Sequence, residues 1–78
     1  MNTYTIEHGS IAAVQYITTP EGRKVIVCGG TKEYQPEFEA LPLQVRAAVN
    51  KQFGIVLSLP YGMRQSFIDN SIPFTIEV

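Results

Sequence analysis

The chain has 78 residues, 45% of them hydrophobic and only 17% charged, with six basic side chains against seven acidic ones. That length makes one domain with a small core, and that apolar content excludes a disordered chain, which would be poor in apolar residues and rich in charge. A net charge of −1 argues against nucleic acid as a partner, because holding phosphates needs a concentrated positive field.

In chain order, TYTIE (3–7) alternates as a strand does, with Tyr4 and Ile6 on one side. His8, Gly9 and Ser10 then read as a turn. IAAVQYIT (11–18) and RKVIVCG (23–29) flank the clearest local signal, TPEG. Pro20 suits the second position of a type I turn, and Gly22 suits the left-handed residue that closes it as a G1 bulge. This hairpin sets a register. Thr19 pairs with Arg23, Ile17 with Val25, Tyr16 with Ile26, Gln15 with Val27 and Val14 with Cys28. One face then carries Ile11, Ala13, Gln15, Ile17, Val25 and Val27; the other carries Ala12, Val14, Tyr16, Ile26 and Cys28. Both faces are largely apolar, which predicts that whatever the helix leaves uncovered meets a partner or a second copy.

The stretch from Glu37 to Gly54 holds the one long helical pattern. Leu41, Val45, Ala48, Val49, Gln52 and Phe53 follow a spacing of 3.6, Pro42 suits the first turn and Gly54 the C′ position. The spacing predicts a helix over 42–53. IVLSL (55–59) reads as a strand, Pro60-Tyr61-Gly62 as a break, and MRQSFID (63–69) as either two helical turns or an irregular strand. FTIEV (74–78) alternates as a strand does, and Pro73 before it argues for a strand start or an edge. The expected fold is α+β: a small antiparallel sheet of four to five strands with one main α-helix, about residues 42–53, packed on one face, forming a single compact domain over 1–78.

The residues that could carry chemistry point elsewhere. Cys28 sits inside the alternation of its strand, and the lone histidine, His8, is a turn residue with nothing that forces it toward the thiol, so Cys28 reads as structural filler. Gly29-Gly30-Thr31-Lys32 lacks the upstream glycine and the order of Lys and Thr that a phosphate loop needs, and no long helix begins there. Glu37 and Glu39 read as solvated charges at a helix start. One histidine and one cysteine give no metal cluster. No catalytic residue, metal or cofactor is expected.

Interaction material is richer. Tyr16, Tyr34, Tyr61, Met63, Arg64 and Phe67 are of the types enriched at interface centres, and YGMRQSF is their densest run. Phe38 and Phe67 also have the character of core residues. The expected function is a non-enzymatic protein-binding module, a regulator or inhibitor that occludes a larger partner, of a kind common among phage and mobile-element accessory proteins. The alternatives are a small nucleic-acid-binding protein using Arg23, Lys24, Lys32, Arg46 and Lys51, and a homo-oligomeric structural protein. No run approaches the ~20 apolar residues that span a bilayer, no signal peptide is evident, and one cysteine forms no internal disulfide, so no membrane role and a cytoplasmic location are expected.

Overall fold

The computed structural model describes residues 2–78. Strands β1 (Thr3–His8), β2 (Val14–Thr18) and β3 (Lys24–Cys28) come first. A 3-10 helix (Gly29–Tyr34) and helices α1 (Pro36–Glu39), α2 (Leu43–Ser58) and α3 (Tyr61–Asp69) follow, and strand β4 (Phe74–Glu77) ends the order. The four strands form one antiparallel sheet in the order β3-β2-β1-β4. This is the α+β architecture expected, with four strands.

The hairpin forms as its turn chemistry dictates. Ile17 faces Val25, Tyr16 faces Ile26, Gln15 faces Val27 and Val14 faces Cys28. The Thr19 amide donates to the Arg23 carbonyl at 2.8 Å, and the Gly22 amide to the Thr19 carbonyl at 2.9 Å. Gly22 has φ 86°, a conformation an L-residue rarely adopts. The strands are shorter than expected at one end: residues 11–13 form a turn, and β2 begins at Val14.

The register divides the sheet into two faces. Ile6, Ile17, Val25 and Val27 point toward the helices and are buried with Phe38, Leu41, Val45, Val49 and Phe53 in one core, against which Tyr4, Ala48 and Ile76 pack. Gln15, on the same face, is fully buried, and its Nε2 donates to the Val49 carbonyl at 3.1 Å. The helices therefore lie on the Gln15–Ile17–Val25–Val27 face.

The main helix outruns its expected end. Gly54 is an interior residue of α2, and residues 55–58, expected as a strand, are its last turn. Val56 continues the buried stripe of Val45, Val49 and Phe53 at helical spacing. That burial outweighs the roughly 1 kcal/mol an interior glycine costs, and Pro60 supplies the stop that Gly54 does not. At the other end Pro42 caps the helix in an extended conformation, φ −56° and ψ 150°, and Leu43 opens it. Glu37 and Glu39 belong to a short helix of their own, α1, which begins at Pro36 and buries Phe38. Gly29 and Gly30 start the 3-10 helix. Residues 61–69, ambiguous in the sequence, form α3 with Ile68 buried.

The two edges of the sheet are treated differently. Along β3 the side chain of Gln35 acts as a stub of a fifth strand. Its Oε1 accepts from the Cys28 amide at 3.1 Å, and its Nε2 donates to the Ile26 carbonyl at 3.4 Å. Along β4 no such cover occurs among the described residues.

Candidate functional site

With the core complete on one side, the opposite face of the sheet has no helix over it. Every second residue of each strand points there. Val14 lies beside Cys28, and Tyr16 lies between Ile26 and Glu7. Thr18 stands between Thr5 and Lys24, and Thr5 also faces Thr75. The result is an apolar corner of Val14, Tyr16, Ile26 and Cys28, bordered by a threonine field. Ile26 is 56% exposed, whereas Tyr16, Val14 and Cys28 are half-buried.

Tyr16 is the centre of this corner, and its ring is held from two sides. The Lys24 ammonium stands 5.3 Å from the ring centroid and reaches across to Glu7 at 3.7 Å. Beneath the ring lies Gly9. A β-carbon there would come within 3.2 Å of Tyr16 Cε2 and 3.1 Å of Val14 Cγ1, so a larger residue at this position would make both side chains give by a few tenths of an ångström. An exposed ion pair such as Lys24–Glu7 adds little stability, but it places charge at the rim of the corner.

The remaining expected interaction residues are not gathered at this corner. Tyr34 projects from the 3-10 helix, 83% exposed. Tyr61 and Met63 are exposed on α3 at 86% and 57%. Phe67, on the same helix, turns inward edge-on to the His8 ring, with centroids 6.3 Å apart. Arg64 is turned onto its own chain: Nε donates to the Leu59 carbonyl at 3.2 Å and Nη2 to the Leu57 carbonyl at 3.1 Å. A shallow groove lined by Leu59, Gly62, Met63 and Phe67 runs beside it.

The basic side chains are also spread out. Lys24 lies over the open face beside Glu7, and Lys32 reaches Glu33 at 3.6 Å. The Arg46 Nε donates to the Leu41 carbonyl at 3.1 Å. Arg23 sits beside the hairpin turn, and Lys51 is exposed on α2.

His8 departs from its reading as a turn residue. It ends β1 on the helix-side face, opposite Gln15. Its ring stands edge-on to Phe53 as well as Phe67, and both ring nitrogens are buried without a hydrogen-bond partner. Burial holds the imidazole below its ordinary value of 6.5, and the nearby Val14 carbonyl opposes that without meeting hydrogen-bond geometry. The signal was present in the strict alternation of Tyr4, Ile6 and His8. Cys28 lies on the other face, so the sheet separates the thiol from the imidazole. Among the described residues no group of three His, Cys, Asp or Glu side chains could hold a metal, and no helix is long and apolar enough to cross a membrane.

Comparison of the chain with protein-family models, with curated proteins and with solved structures finds no match.

Proposed function

We propose that the protein is a non-enzymatic binding module that docks a larger protein through the open face of its sheet and regulates it by occlusion. One observation carries this reading: Val14, Tyr16, Ile26 and Cys28 are neighbours by strand register on a face that none of the helices covers. A half-buried tyrosine beside an exposed isoleucine, rimmed by Lys24 and Glu7, has the make-up of an interface centre with a polar border. The engagement of Lys24, Lys32, Arg46 and Arg64 within the chain favours a protein over a nucleic acid as the partner. As part of the same proposal the protein works in the cytoplasm, where the free thiol of Cys28 stays reduced.

The test uses the intact protein and its Ile26→Lys variant as baits in the native extract. Ile26 is exposed, so the variant keeps its fold, which a thermal melt checks. A partner captured by the wild type and lost with Ile26→Lys supports the open face. A partner retained equally by both baits overturns it.

A further inference from the structure

A second surface, distinct from the open face, is written into the free edge of β4. The pairing of β4 with β1 sets Tyr4 against Ile76 and Ile6 against Phe74, and the Val78 amide donates to the Asn2 carbonyl at 2.9 Å. In an antiparallel ladder alternate residues turn their main-chain groups to opposite sides. Those of Phe74, Ile76 and Val78 are thus spent on β1, and those of Thr75 and Glu77 point outward. No described residue pairs with them. The side chains alternate likewise. Phe74, Ile76 and Val78 form an apolar row on the helix side, with Phe74 37% and Val78 43% exposed.

We propose that this edge pairs with the same edge of a second copy about a two-fold axis at Ile76, doubling the four-stranded sheet into one continuous sheet. The register follows from the residues. Centred on Ile76, Thr75 faces the second copy's Glu77, and both outward N–H and C=O pairs of each chain are used. Ile76 meets its own copy, and the large Phe74 meets the smaller Val78. A centre at Glu77 would face carboxylate with carboxylate. A centre at Thr75 would ask Pro73 for an amide hydrogen that it lacks. The chosen register alone satisfies every outward group without a like-charge contact. A second copy is preferred to a foreign strand because the row matches itself in size, Phe74 against Val78, and sets Glu77 against neutral Thr75. The opposite edge is partly blocked, since Gln35 already occupies the Cys28 amide and the Ile26 carbonyl. Few residues take part, so the contact is small and the dimer is in equilibrium with monomer at accessible concentrations.

Sedimentation of the wild-type protein up to about 1 mM, with amide exchange followed by NMR, tests this. The expected result is a mass that rises to the dimer with concentration, and exchange at Thr75 and Glu77 that slows in parallel. Thr75→Pro removes an outward amide without touching the β1 ladder and weakens the dimer about tenfold or more, whereas Ile26→Lys leaves it unchanged. A mass that stays monomeric with both amides exchanging freely overturns the proposal, and leaves the edge to a strand of another protein. A dimer broken by Ile26→Lys and indifferent to Thr75→Pro also overturns it. Slowed exchange at Thr75 and Glu77 in the wild type stands as support even if Thr75→Pro fails to fold.

Discussion

The Gln15 amide nitrogen donates to the Val49 carbonyl at 3.1 Å from a fully buried position, and so joins the middle of the sheet to the middle of α2. The same side chain leaves its Oε1 buried with no partner. Val49 lies inside α2, where its carbonyl also accepts a helical hydrogen bond, so losing the glutamine orphans nothing on the helix. The side chain therefore contributes mainly by its volume. Gln15→Ala is expected to cost about 2–4 kcal/mol through the cavity it leaves, while Gln15→Met stays within about 1 kcal/mol of wild type or above it. Urea denaturation of the two variants checks this. Equal losses for both would show that the hydrogen bond outweighs the packing.

Protonation of His8 should loosen the same end of the core. Phe53 of α2 and Phe67 of α3 flank the ring, and among the described residues no carboxylate forms an ion pair with it. Burial lowers its pKa in the folded chain below the 6.5 it has when unfolded. The unfolded chain then binds more protons across that interval. Stability is complete above about pH 6.5 and is lost as pH falls through the lower folded value. The denaturation midpoint of the wild type is expected to fall from about pH 7.5 to about pH 5.5. In His8→Phe, which keeps an aromatic ring without the two orphaned nitrogens, that fall should flatten. A slope unchanged in the variant would assign the effect to the carboxylates.

Arg64 holds α2 and α3 together at the turn between them. Its two donors meet the Leu57 and Leu59 carbonyls, groups that the end of α2 leaves without helical partners. Arg64→Ala is expected to lower stability by about 1–2 kcal/mol, and Arg64→Lys to restore only part of it, because one ammonium does not reproduce the fork. Thermal melts give the measurement. An Arg64→Ala protein that melts like wild type would show that the side chain is free for an outside contact.

The hairpin was readable because all of its determinants are local. Pro20, Gly22 and the alternation on either side set the turn, the register and the two faces within a few residues of one another. Pro73 narrowed β4 to a strand start or an edge for a similar reason, and the sheet order puts it at the edge. Residues 55–59 show where local reasoning stops. Ile55, Val56 and Leu57 have the composition of a strand after a glycine, yet Val56 is drawn into helix by the core that Val45, Val49 and Phe53 already occupy. His8 was misread because its neighbours Gly9 and Ser10 carry turn chemistry, while the rings that bury it come from Phe53 and Phe67, far along the chain.

For the candidate surface the division is equally clear. By itself the sequence determined that Val14, Tyr16, Ile26 and Cys28 share a face, that Gln15, Ile17, Val25 and Val27 share the other, and that one helix is available to cover a single face. Only the tertiary structure decided which face is covered. The two faces are nearly equal in apolar content, so the choice rests on contacts between distant segments: Gln15 with Val49, and the core of Ile17, Val25 and Val27 with Phe38, Leu41 and Phe53. The exposed corner around Tyr16 is what that choice left over.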